Sequence, residues 1–234
     1  MSLELRKLEG QSLGRFMSVA RASGIPFRLD EANSVSCGGT AGISNTFASA
    51  LWAMGYIAQA TAAGVSGINL QGNPINCRGY SPLCAGTPRL MASGVLHPQP
   101  EWYALLLARS LIGARPLPTT LSSPGSPNVV VQAYKAAGGR LRLVVVDDEP
   151  PGARPAPLRI DVRRSYRWAS VLSLRAPMPS ASTGVTLGGQ AVTRGGSWHA
   201  TPPVTPLVRR HGAIALTVPA SSAALVTLLR TPTP

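Results

Sequence analysis

Carboxylates are scarce in this chain. Nine acidic residues stand against 22 lysines and arginines in 234 residues, a formal net charge of +13. Any catalytic carboxyl must therefore come from Glu4, Glu9, Asp30, Glu31, Glu101, Asp147, Asp148, Glu149 or Asp161. Lysine is nearly missing too, with only Lys7 and Lys135, so the cationic surplus is arginine's. Such a surplus can suit a polyanion. Yet the arginines are scattered, with no run longer than Arg163-Arg164 or Arg209-Arg210, and no DNA- or RNA-binding signature accompanies them. Alanine, glycine and proline are abundant as well, which fits a GC-rich coding bias, and no nucleic-acid partner is expected.

Cysteine and histidine are equally sparse. Cys37, Cys77 and Cys84 fall outside zinc-ligand spacings, and His97, His199 and His211 are far apart, so neither a metal nor another cofactor is expected. Cys77 and Cys84 share one long loop; in an exported protein they could pair, and free thiols are the alternative. No long apolar run exists: the stretch Phe47 to Leu70 is broken by Gln59, Thr61, Gly64 and Gly67. The segment Met1 to Lys7 has no apolar core of a signal peptide. Neither a membrane span nor a membrane partner is expected. With 44% hydrophobic and 13% charged residues, a sizeable core is within reach.

The periodicity predicts a helix over 3–22, a strand over 26–31, and a helix from Ser44, a candidate N-cap, to Ala63, stopped by Gly64. A strand follows over 65–70, then a loop over 71–98 and a helix from Pro100 to Ile112. The loop is long enough to suggest function rather than mere connection. Trp52 and Trp102 read as helix core. From residue 117 the texture changes. Val129–Tyr134 and Arg140–Val146 flank Ala137-Gly138-Gly139 as a hairpin, and strands are expected near 158–163, 168–175, 184–193, 212–218 and 223–230. Arg154 to Pro157 reads as a linker-like bend, and 231–234 as a frayed tail. The expected fold class is thus α/β plus all-β: about a quarter of a (β/α)8 barrel over 1–115, then an antiparallel β-sandwich over 116–234. Two parallel strands cannot bury themselves, so the first part needs the rest of a barrel.

The most informative residues are Glu31 to Ile43. Glu31 ends an apolar-alternating strand, a glycine-rich loop follows, and a helix then opens. In a β/α barrel the active site is built at those strand tips. A glutamate there can attack a sugar carbon or stabilise the positive charge forming on it. A lone carboxylate at a strand end is more often a solvated surface group; the neighbours alter that reading.

Glu31-Ala32-Asn33-Ser34, then Gly38-Gly39, then Ser44-Asn45-Thr46-Phe47-Ala48-Ser49-Ala50-Leu51-Trp52 resembles the strand 7 region of glycoside hydrolase family 79, the heparanase and microbial β-glucuronidase family. Gly67-Ile68-Asn69-Leu70, Gly79-Tyr80-Ser81-Pro82 and Pro100 to Leu107 resemble that family's strand 8, substrate loop and helix 8, in order. Val185 to Gly189, Ser197-Trp198 and Val218 to Val226 are weaker cues to its C-terminal β-domain. Asn45 stands where the family usually has Asp. The resemblance implies that the first part corresponds to about strands 7–8 of the barrel with flanking helices. It implies Glu31 as the nucleophile of a retaining mechanism, and Gly38, Gly39, Gly79 and Tyr80 near the glycone, where the family reads a uronic acid carboxylate. Backbone N–H groups at glycines approach an anion closely, and a tyrosine hydroxyl adds a directed donor. A plain turn for the glycines and a loop anchor for Tyr80 are the alternatives. Asn33 could orient Glu31 or the sugar, or simply form an Asx-turn.

A retaining glycosidase needs a second carboxyl about 5 Å from the first. Asp30 is expected on the opposite strand face from Glu31. Glu101 starts an outer helix, and 147–149 reads as a solvated strand end. The family places its acid/base in an Asn-Glu pair after strand 4, which this chain lacks. The resemblance thus implies the C-terminal portion of a β-glucuronidase-like hydrolase, inactive alone. Its implied partners are a glycan or glucuronide and the missing N-terminal barrel portion, and its full-length relatives are implied to be secreted. The competing reading is a non-catalytic carbohydrate-binding or structural β-sandwich carrying a barrel remnant.

Overall fold

The computed structural model describes residues 1–123, 127–162, 164–193, 196–199 and 207–230. Arg163 and the 231–234 tail lie outside them. Helix α1 (Leu3–Ala22) starts where Ser2 Oγ accepts from the Leu5 N–H at 3.2 Å. Strand β1 (Arg28–Ala32) pairs in parallel with β2 (Gly67–Leu70), and α2 (Phe47–Ala63) connects them. The 71–98 segment holds β3 (Leu83–Cys84), α3 (Pro88–Ala92) and β4 (His97–Pro98), and α4 (Pro100–Arg109) follows. Gly64, at φ +98°, stops α2 in the left-handed conformation that glycine adopts freely.

The start of α2 departs from expectation. The helix opens at Phe47, and Ser44 is not its cap. Thr46, in the N-cap position, makes no side-chain capping bond. The free Phe47 and Ala48 N–H groups donate instead to the Ala181 and Pro179 carbonyls, each at 2.8 Å. A distant loop thus does what a local serine was expected to do.

The sheet-rich part comprises β5 (Arg115–Leu117), β6 (Val129–Lys135), β7 (Leu141–Asp147), β8 (Ala156–Asp161), β9 (Trp168–Arg175), β10 (Thr186–Leu187), β11 (Leu207–Val208), β12 (Ala213–Val218) and β13 (Ser222–Leu229). The main antiparallel sheet runs β10-β9-β13-β7-β6-β5, with β11 also on β9, and β8 pairs separately with β12. Side chains alternate across it. Val144, Val146, Leu174 and Leu225 share a core with Phe47, Met54 and Leu107 of α2 and α4. Leu143, Val226 and Ala169 face Ile214 and Ile160 of the β8/β12 pair. Because β7 is covered on both faces, it reads as an unbroken apolar run rather than an alternating one.

Three local expectations are corrected. Only Thr186–Leu187 of the 184–193 segment is strand, because a turn at Gly188-Gly189 brings Gln190 back onto Leu187. Ala156 and Pro157 of the presumed bend belong to β8, paired with Val218 and Thr217. The acidic triplet is not a solvated strand end. Asp147 is fully buried, and Asp148 forms an ion pair with Arg6 of α1 in which its side chain is 1% exposed.

Candidate functional site

Glu31 lies near the C-terminal end of β1, and simple alternation fails there. Leu29 pairs with Ile68 and Ala32 with Leu70, so three steps on β1 oppose two on β2. This bulge re-aims the side chains at the strand tip. Asp30 and Glu31 are both exposed, so the expected opposition of the two is not a buried-versus-exposed one. Glu31 lines a concavity of about 370 Å³ together with Glu9, Leu8, Phe16, Asn33 and Trp52. Trp52 is buried as expected, and its Nε1–H donates to Glu9 Oε1 at 2.9 Å. Burial pushes the Glu9 carboxyl up, against that hydrogen bond and Arg6. The concavity is thus walled by α1, β1 and α2, on the side where β1 has no further partner strand among the described residues.

Asn33 braces the floor behind Glu31. Its Oδ1 accepts from Ser34 N–H at 2.6 Å, and its Nδ2–H donates to the Gln71 carbonyl at 2.7 Å and to Glu101 Oε2 at 3.4 Å. One side chain thereby ties the ends of β1 and β2 to α4. Glu101, in the first turn of α4, is 1% exposed rather than solvated, and its Oε1 has no hydrogen-bond partner among the described residues. Burial raises its pKa to about 7, against the Asn33 hydrogen bond. The sequence signal was present but weak: a glutamate after proline in a helix's first turn is ordinarily a solvated dipole partner.

This burial sets the sign of a pH effect. A carboxyl whose folded pKa exceeds its unfolded value holds its proton more tightly in the native state. Its contribution is fully present below about pH 4.5 and is lost as pH rises through about 7. Glu101→Gln should abolish that decline and leave the protein more stable than wild type at pH 8, by up to about 3 kcal/mol. Urea unfolding at intervals from pH 5 to 8 measures it; an unchanged slope with pH would reject the buried acid.

Four candidate residues meet in the loops above. The Gly38 N–H donates to the Tyr80 hydroxyl oxygen at 3.1 Å, which leaves the hydroxyl proton free to be donated elsewhere. Gly39, at φ +83°, sits so close that a Cβ there would lie 2.7 Å from Tyr80 N. A side chain at Gly79 would collide with the Gly38 carbonyl. The glycines therefore serve first to let two loops touch backbone to backbone. Cys77 and Cys84 form a disulfide that closes the loop bearing Gly79 and Tyr80, while Cys37 is free and exposed. Asn45 accepts from Gly42 N–H at 2.7 Å and donates to the Cys77 carbonyl at 3.4 Å. An ionised aspartate could make the first bond but not the second. Trp102, expected in the core, is only half-buried and lines a separate cavity of about 830 Å³ with Leu83, Leu90, Val95 and His97.

A parallel βα pair with a carboxylate near its strand tip, packed on an antiparallel sheet-rich domain, has the fold of glycoside hydrolases. Residues 132–225 match the Glycosyl hydrolase family 79 C-terminal beta domain. Among solved structures, a 4-O-alpha-L-rhamnosyl-beta-D-glucuronidase from Fusarium oxysporum superposes with a TM-score of 0.70 at 21% identity, over 92% of this chain and 46% of its own. An alpha-L-arabinofuranosidase from Thermotoga maritima gives 0.67 at 18%, over 96% and 48%. A GH51 alpha-L-arabinofuranosidase from Thermotoga petrophila gives 0.66 at 17%, over 97% and 49%. At these identities the likeness is one of fold, and the chain spans less than half the length of each. No curated protein matches the sequence.

Proposed function

We propose that this chain is the C-terminal portion of a retaining β-glucuronidase-like glycoside hydrolase acting on uronic-acid-containing glycans. In this reading β1 and β2 are about strands 7 and 8 of a (β/α)8 barrel within 1–115, and residues 116–234 form the C-terminal β-sandwich. Glu31 is the nucleophile: its carboxylate attacks the anomeric carbon, and a glycosyl ester forms as the leaving group takes a proton from the acid/base. That second carboxyl comes from barrel strands outside this sequence. Asn33 holds the strand tip in place, and Tyr80, with the loops carrying Gly38, Gly39 and Gly79, shapes the wall that meets the uronate. No cofactor takes part.

The observation that carries the reading is the position of Glu31: near the tip of a parallel strand, on a bulge, beside a concavity next to a strand edge with no partner among the described residues. On the same side α1 exposes Leu5, Leu8, Phe16 and Val19, an apolar stripe suited to further βα units. The competing reading, a non-catalytic β-sandwich module with a barrel remnant, gives no role to the bulge or to the Asn33–Glu101 brace. The chain alone is expected to release no product from an aryl β-D-glucuronide, whereas joined to an N-terminal barrel half carrying an Asn-Glu pair it should turn the substrate over. Turnover by the chain alone would mean that its acid/base is one of its own nine carboxyls; glycan binding without turnover in the joined protein would favour the module.

A further inference from the structure

The scattered arginines converge. At one end of the main sheet every strand but β10 has a cation on or beside it: Arg115 on β5, Lys135 on β6, Arg140 before and Arg142 in β7, Arg230 after β13, Arg167 before β9, and Arg209 after β11. The strand register puts them level at that end, with Arg115 and Lys135 on one face and Arg142, opposite Tyr134 and Thr227, on the other. Arg115 pairs with Lys135, Lys135 with Leu141, Leu228 with Leu141, and Leu229 with Trp168, which also pairs with Val208. With strands about 4.8 Å apart, the row runs for roughly 24 Å. Arg115, Lys135, Arg140, Arg167 and Arg230 are exposed. Among the described residues no ion pair engages any of the seven. Asp161, at the end of β8 near Arg209, is engaged by Arg159 at 3.2 Å. Crowding is evident in Arg142, whose pKa is lowered by burial and by Arg140 beside it.

We infer that this row is a binding surface for an acidic polysaccharide chain, separate from the Glu31 site. Guanidinium forks match carboxylate and sulfate groups, and a linear row of them matches a linear polyanion. The alternative polyanion, nucleic acid, is disfavoured by the same geometry. The surface is a sheet end with no projecting helix or ribbon to enter a groove. Its aromatic rings offer bases no stacking platform: Tyr166 is buried with Arg230 over its ring at 5.6 Å, and Trp168 is half-buried. The row also lies away from Glu31. The start of α2 is capped by residues just beyond β9, whereas Thr61 near its other end meets the Tyr134 hydroxyl at 2.8 Å, next to Lys135. The Glu31 concavity is instead lined by Trp52 and Tyr56, further toward the start of that helix. A glycan held on the row is tethered beyond the reaction site rather than in it. The choice of polysaccharide rests on the glycoside hydrolase reading; the existence of the row does not.

The test is binding, not hydrolysis, so its failure leaves the Glu31 reading untouched. Fluorescein-labelled polygalacturonate and heparin oligosaccharides, and a DNA duplex of equal charge, are titrated by polarisation at about 50 and about 200 mM NaCl. The triple variant Arg115→Gln/Arg140→Gln/Arg167→Gln is compared with Arg89→Gln/Arg154→Gln/Arg175→Gln, which removes the same charge elsewhere, and melting curves check that both fold. The row variant should weaken polysaccharide binding at least about tenfold and the control less than about twofold. Preference for polygalacturonate points to a uronate ligand and preference for heparin to a sulfated one, and either supports the row. Equal losses in the two variants, no polysaccharide binding, or DNA bound as tightly as the polysaccharides would overturn it.

Discussion

Glu31→Gln, in the chain joined to the rest of its barrel, should lower the rate on an aryl β-D-glucuronide by at least about a thousandfold, because the amide cannot form the covalent ester. Stability should hardly move. The side chain is exposed, and such surface changes usually stay within about 0.5 kcal/mol. Two measurements make the result specific. Mass spectrometry of wild type with a slow 2-fluoro glucuronide should find the adduct on the peptide carrying Glu31. Ground-state affinity for a non-hydrolysable glucuronide should survive the substitution. A variant that keeps its rate, or an adduct on another residue, removes Glu31 from the mechanism. The Asn33 brace makes this a clean experiment: it holds the strand tip through Gln71 and Glu101 rather than through Glu31.

Asp148→Ala should be the most damaging single change to stability, costing about 3–5 kcal/mol and lowering Tm by roughly 10 °C. Asp148 forms a buried ion pair with Arg6, with side chains 1% and 6% exposed, and this pair fastens α1 to the end of β7. Removing the acid leaves an enclosed guanidinium that has lost its paired carboxylate, with only Glu9 nearby, and Arg6 Nε and Nη1 already lack partners among the described residues. The pair itself contributes little net stability. Burial raises the Asp148 pKa despite the N-terminal ammonium and Arg6 beside it, so desolvation outweighs attraction. Arg6→Met/Asp148→Leu should therefore be far less destabilising than Asp148→Ala alone. Chemical denaturation of the three proteins measures this. A single variant no worse than the double would show that the contact is open to water.

Much of the layout was legible in the sequence. The helices α1 and α2, the hairpin of β6 and β7, and the Gly64 stop follow from periodicity and local stereochemistry, which act within a few residues. The residues that escaped did so because their environment is supplied from elsewhere in the chain. Glu101 looked like an ordinary first-turn glutamate; its burial comes from Asn33 and the packing of α4. Asp147-Asp148-Glu149 has the pattern of a solvated strand end, but Arg6 of α1 pairs with Asp148 there. The cap of α2 comes from Pro179 and Ala181, which no local rule connects to Phe47.

By itself the sequence determined the order of its elements, the scarcity of candidate carboxyls, and the place of Glu31 near a strand tip ahead of a glycine-rich loop, because these depend on residue type and on spacing along the chain. The tertiary structure alone decided the bulge that turns Glu31, the backbone contact that demands Gly39 and Gly79, the closure of Cys77 onto Cys84, and the alignment of seven separate cations into one row. The reason is that strand register and loop packing bring together residues far apart in sequence, and charge, burial and hydrogen bonding respond to distance in space.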